Sequence, residues 1–227
     1  MRKWLLRLSL VAVVTLLALG AGVLGVYRAS QHVPEFYQHA LTGDPKAAED
    51  ASDEMIEQAA ALASDIRKGG QWEAVFTAEQ INGWLAVDLE RNYPDLLPSS
   101  LSDPRVAIEP DQMWIACRLE RRNLKSVLSM AADVYLAEPN VVALRIRRAR
   151  AGIVPLPLDK VLDKISEKAS DLDLEIQWRQ AEGDPVVEIS IPPPRDEDDK
   201  AVRIEALRLG EGKLYLSGST EDGAGKR

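Results

Sequence analysis

Arg145, Arg147, Arg148 and Arg150 fall within six residues. A guanidinium presents a planar fork of donors that fits a carboxylate or a phosphate bidentately. Two readings of the run stay open. It is an anion site for a phosphate or headgroup, or it is a charge ladder against acids on adjacent strands, such as Glu175 or Glu188. A hairpin turning at Pro139 would also bring Arg121, Arg122 and Lys125 toward Arg147–Arg150, gathering seven basic groups at its open end.

Other chemistry is scarce. The two histidines, His32 and His39, stand outside any nucleophile elbow, and no G-x-S-x-G, H-E-x-x-H, P-loop or EF-hand spacing occurs. Cys117 is the single cysteine, which excludes an intrachain disulfide, and its apolar run makes it a buried small hydrophobe. No metal and no cofactor are expected. With 36 acidic residues a carboxylate-based polysaccharide hydrolase stays open. It requires two carboxylates facing one cleft, about 5–10 Å apart. Asp88 falls between Leu85 and Leu89 on an apolar helix face, where a boundary carboxylate paired with an arginine is expected. Asp196–Asp199 reads as a solvated acidic loop. Gly20, Gly22 and Gly25 spell G-x-G-x-x-G, but inside an apolar run with no strand before it, so the dinucleotide mechanism does not apply.

The net charge of −8 argues against a nucleic-acid partner, because such binding needs a basic face. Residues 1–28 reverse the sign, with Arg2, Lys3, Arg7 and Arg28 and no acid. Between them, Leu8–Tyr27 runs twenty residues without a charge. A helix of that length spans about 30 Å, a bilayer's hydrocarbon core. The basic residues before the run place the N-terminus inside and the remainder outside the cytoplasm, in the inner membrane of a single-pass protein. A cleaved signal peptide is the competing reading of the same segment. The expected organisation is a basic stub and transmembrane anchor at 1–28, a juxtamembrane connector at 29–44, an extracytoplasmic α+β domain at 45–219 and a disordered tail at 220–227.

The body must position whatever chemistry there is. Asp44 and Pro45 open a helix that runs to about Lys68 and stops at Gly69-Gly70. Residues 71–76 read as a short strand. Thr77-Ala-Glu-Gln80 is a capping box that opens a helix carrying Ile81, Trp84, Leu85 and Leu89 on one face. From Arg105 the period becomes two, and Glu138-Pro139-Asn140 joins two long strands. Leu158, Val161, Leu162, Ile165 and Ala169 mark a further amphipathic helix. Four strands follow, and the one at 202–209 changes phase between Ile204 and Leu207, which predicts a bulge. Without βαβ alternation, the expected class is α+β: a transmembrane helix, then one large curved, mostly antiparallel sheet with amphipathic helices on one face.

Phe76-Thr-Ala-Glu-Gln-Ile-Asn-Gly-Trp-Leu85 and Arg150-Ala-Gly-Ile-Val-Pro-Leu-Pro157 resemble segments of bacterial single-pass envelope proteins of the YpmS type, with a likeness to tubular lipid-binding (TULIP-like) domains. Thr77, Asn82, Trp84, Gly152, Pro155 and Pro157 carry the match, over roughly residues 70–170. The resemblance implies a curved antiparallel sheet around a long helix with an apolar groove, and it implies no catalytic residue. The function expected is therefore non-enzymatic binding of a lipid or other apolar envelope molecule. Trp84, Leu85, Trp114, Leu158 and Leu162 are the expected lining, and Arg147, Arg148 and Arg150 the expected headgroup contacts. A scaffold that binds another envelope protein is the first alternative, and the hydrolase the second.

Overall fold

In a computed structural model, residues 25, 27–94, 96–122, 124–159, 162–163, 166–167, 175–191 and 201–221 are described. The expected membrane-spanning helix requires correction. Among the described residues no helix is long and apolar enough to cross a membrane. Pro45–Lys68 has the length, at 24 residues, but it carries acids along its whole course. Most of the Leu8–Tyr27 run lies outside the described residues, as do the 192–200 loop and residues 222–227 of the expected tail.

The single large sheet is also corrected. The strands form two antiparallel sheets. The first has three strands, in the order β1 (Gly70–Thr77), β10 (Lys213–Glu221), β9 (Ala201–Gly210). The second has seven. Its path runs β2 (Leu101–Ile108), β3 (Met113–Arg121), β4 (Leu124–Glu138), β5 (Val141–Ala151), β8 (Asp184–Ser190), β7 (Ile176–Ala181), and the two-residue β6 (Val154–Pro155) pairs with β5. Local patterning cannot reveal that β1 pairs with β10, the last strand, because periodicity carries no information about distant partners. The predicted bulge is present: the β9–β10 register shifts between Ser217 and Gly218, opposite Ala206 and Ile204.

Two asparagines imitate a strand, one tying a helix to the large sheet and one tying the two sheets together. Asn82, on α3 (Ala78–Asn92), donates to the Val106 carbonyl at 2.9 Å and accepts from the Val106 amide at 2.7 Å. This occupies the outer edge of β2, whose backbone groups would otherwise go unpaired. Asn140, at the β4–β5 turn with φ +64°, does the same to β9. Its side chain donates to Val202 O at 2.8 Å and accepts from Ile204 N at 2.6 Å. A short carboxamide adopts the left-handed turn conformation readily and still presents both a donor and an acceptor.

Among the described residues, α1 (Glu35–Leu41), α2 (Pro45–Lys68) and α3 pack on this frame. The predicted capping box at Thr77 and Gln80 forms, with both bonds present. Asp44 caps α2 through the Lys46 amide. Helices α2 and α3 meet at Gly83, where a Cβ would lie 2.7 Å from both the Ala48 carbonyl oxygen and the Ser52 amide nitrogen, so only glycine permits that approach. Asp88 is buried there, and it accepts from the Ser52 hydroxyl and from Asn92 at 2.8 Å. Its partners are neutral, not the expected arginine. Residues expected as a connector contain α1, whose Tyr37 is 0% exposed. Tyr37 packs on Ala116 and Val127, and its hydroxyl donates to Asp103 O at 2.8 Å. Arg105 donates to the Ala40 carbonyl at the end of α1. Burial and the nearby Asp103 carboxylate push the Tyr37 phenol up to about 12.

Candidate functional site

The seven-stranded sheet has two unlike faces, and register assigns each residue to one of them. Trp114 lies opposite Ala131, which lies opposite Arg148. Ala116, Ser129 and Arg150 form the next row. This is the face that α1 covers, here called the α1 face. The other face carries Ile115 opposite Met130, Leu119 opposite Ser126, and Val134 opposite Leu144 opposite Val187.

The four arginines separate into two kinds. A register shift between Ala131 and Ala132 leaves Arg147 as the extra residue of a bulge on β5. Arg147 then reaches Asp133 at 2.7 Å and Asp184 at 2.8 Å. Arg145 reaches Glu182 at 2.7 Å and Asp184 at 2.9 Å. Two guanidiniums thus meet three carboxylates. The hydrogen bond from Arg145 holds the Glu182 carboxyl below its ordinary range, and the same bond raises Arg145. Arg147 is raised by its bond to Asp133. Arg148 and Arg150 meet no carboxylate among the described residues. Arg148 lies over the Trp114 ring, 5.1 Å from its centroid, and donates to the Gln112 side-chain oxygen Oε1 at 3.4 Å. Arg150 is half-buried.

The seven-group basic cluster does not form. Lys125 pairs across β3 with Glu120, whereas Arg148 lies opposite Ala131. Six residues of strand, about 20 Å, separate those positions. The acids of the ladder are Asp133, Glu182 and Asp184; Glu188 instead holds Arg179 at 2.7 Å. Glu182 and Asp184 sit in the β7–β8 turn, which reaches Arg145 because β8 neighbours β5. The turn is legible in the sequence, but that adjacency is not.

The expected groove residues are spread out. Trp84 stacks obliquely on Tyr93, centroids 6.0 Å apart, and Leu85 is half-buried on the same helix. Trp114 packs against Phe36 of α1, centroids 5.8 Å apart. Leu158 and Leu162 are half-buried and helical. That helical segment meets the sheet where Trp178 Nε1 donates to the Ser166 hydroxyl at 2.8 Å. Trp178 lies opposite Val187, and so on the face away from Trp114. What unifies that second face is its composition. Ile115, Cys117, Leu119, Leu128, Met130, Val134, Leu144 and Ile189 are all apolar and all only half-buried. Burial in this apolar setting pushes the Cys117 thiol up to about 11, so it is an unreactive neutral group at neutral pH.

A cleft of about 190 Å³ opens at the far end of the α1 face, lined by Glu138, Val141, Gln177, Arg179, Glu188 and Ser190. Two carboxylates share it, as a hydrolase requires. Glu188, however, is engaged by Arg179 at 2.7 Å. Among the described residues no group of three or more His, Cys, Asp or Glu can hold a metal ion.

No family model matches the chain, and no curated protein or solved structure matches it.

Proposed function

We propose that this protein is a binding domain without catalytic activity, which holds an apolar, acyl-like molecule against the second face of its seven-stranded sheet. The observation that carries this reading is the half-burial of Ile115, Leu128, Met130, Val134, Leu144 and Ile189 on that face, around the buried Ala132, Ile146 and Val187. A face meant only as core is normally packed closed, and each side chain left half open forgoes part of the roughly 1.5–3 kcal/mol that full burial supplies. A bound chain of methylenes completes that packing. The resemblance to lipid-binding folds supports the same reading. Arg147, Arg148 and Arg150 do not serve as headgroup contacts for this ligand, because the bulge and register turn them to the α1 face.

The test is native mass spectrometry of the full chain purified without detergent, followed by organic extraction. A co-purifying acyl-containing species, lost in Met130→Glu while the circular-dichroism melt stays cooperative, supports the proposal. A ligand-free protein that also fails to take up a fluorescent fatty acid overturns it. That outcome would favour a scaffold, a reading supported by β7, which pairs on one side only among the described strands.

A further inference from the structure

We propose that Trp114, Arg148 and Arg150 form an oxyanion site on the α1 face, independent of the apolar face, that takes a phosphate-type group. The starting observation is a missing partner. Trp114 Nε1 is buried and has no acceptor, the one such side-chain atom among the described residues. Buried donors are almost always satisfied, so an orphan calls for an explanation, and an acceptor from outside the chain supplies one. The second observation is the surplus of positive charge beside it. Arg145 and Arg147 are neutralised by Asp133, Glu182 and Asp184, but Arg148 and Arg150 are not, in a chain of net charge −8. Acids were available to this strand, and they stop at the bulge.

The register brings these donors together. Arg148 and Arg150 project from the same face two residues apart, about 7 Å along the strand. The strand between Trp114 and the two arginines contributes only the small side chains of Ser129 and Ala131 to this face. Arg148 is exposed and held only by the Trp114 ring and by the 3.4 Å bond to Gln112. It is therefore free to swing onto a ligand beside the indole. The site offers donors without an opposing acid. A cation is repelled, a neutral ligand leaves the guanidiniums unused, and a tetrahedral oxyanion satisfies two forks and the indole at once.

The phosphate belongs either to a soluble ester or to a lipid headgroup, and the experiment separates the two. The reporter is the Trp114 indole N–H resonance in ¹⁵N-labelled full chain, assigned by its loss in Trp114→Phe. Probes are inorganic phosphate, glycerol phosphate, and vesicles of phosphatidylglycerol or of phosphatidylcholine alone. The expected result is a downfield, saturable shift with millimolar glycerol phosphate, weakened at least tenfold in Arg148→Gln and in Arg150→Gln and unchanged in Arg208→Gln on the small sheet. A response to phosphatidylglycerol vesicles, with none to glycerol phosphate, assigns the phosphate to a membrane surface. An indole resonance that no probe moves, or that moves equally in Arg148→Gln and Arg150→Gln, overturns the proposal. Both variants replace surface groups without partner carboxylates, and an unchanged remainder of the spectrum establishes that they fold.

Discussion

On the α1 face of the large sheet, Tyr37 covers Ala116 and Val127 and is itself 0% exposed, while across the same strands Ile115, Cys117 and Leu128 are only half-buried. The α1 face is the more polar one, and it is closed only where α1 lies, since Arg118, Tyr135 and Arg148 are exposed on it. It carries Arg105, Ser129, Asp133 and the arginines, and Tyr37 closes it over Ala116 and Val127. The other face is nearly all carbon and is closed only in part, with Ala132, Ile146 and Val187 buried on it. Folding usually closes the apolar side first, since that is where burial stabilises most. The contrast teaches that α1 is a structural element of the fold, and it is the half-buried part of the other face on which the proposed function rests.

The largest effect that would break this contrast is removal of the anchor of α1. Tyr37→Ala should cost about 3–5 kcal/mol in chemical denaturation, the range for a large aromatic lost from a full core position. A loss below about 1 kcal/mol would mean that α1 is not integral to the fold.

A second test uses alkali. Burial raises the Tyr37 phenol from its ordinary 10 to about 12 and the Cys117 thiol from 9 to about 11. A raised acid binds its proton more tightly folded than unfolded. Stability is therefore whole below the unfolded value and lost as pH climbs through the folded one. Unfolding free energy should be level to pH 9 and fall from there to pH 12. The Tyr37 part, on the order of 2–3 kcal/mol, should appear only above pH 10. Tyr37→Phe should remove that part and leave the Cys117 decline.

Smaller effects sharpen the division within the arginine run. Asp184→Asn breaks contacts to both Arg145 and Arg147, and should destabilise by about 1–2 kcal/mol. Arg148→Gln and Arg150→Gln should stay within about 0.5 kcal/mol of the parent, because neither has an acid to lose. On the apolar face, Met130→Ala should cost about 1 kcal/mol, well under the 2–5 of a fully buried site. If the three sets of values coincide in thermal or urea unfolding, the two faces and the two arginine pairs are not distinct.

Much of the local structure is legible in the residues. The capping box at Thr77 and Gln80, the Asp44 cap, the turn at Pro139-Asn140 and the bulge after Ile204 each depend on groups a few positions apart. Of the candidate site, the arginine run and Trp114 were visible as residue types. Their assignment was not. Which arginines find acids depends on β8 lying beside β5, and on a bulge at Arg147 that no alternation pattern announces. The orphaned Trp114 Nε1 has no sequence signal at all, since an unmet donor is defined by the absence of neighbours.

By itself, then, the sequence determined the caps, turns, strand periods and the scarcity of catalytic side chains, because these follow from short-range sterics and composition. The tertiary structure alone decided the division into two sheets, the pairing of β1 with β10, the asparagine ties and the face to which each arginine turns. Those depend on register and on contacts between residues as far apart as Trp72 and Thr220, whose 3.1 Å bond joins the first strand to the last. A chain's local preferences are compatible with many such pairings, and only the free energy of the whole packed arrangement selects one.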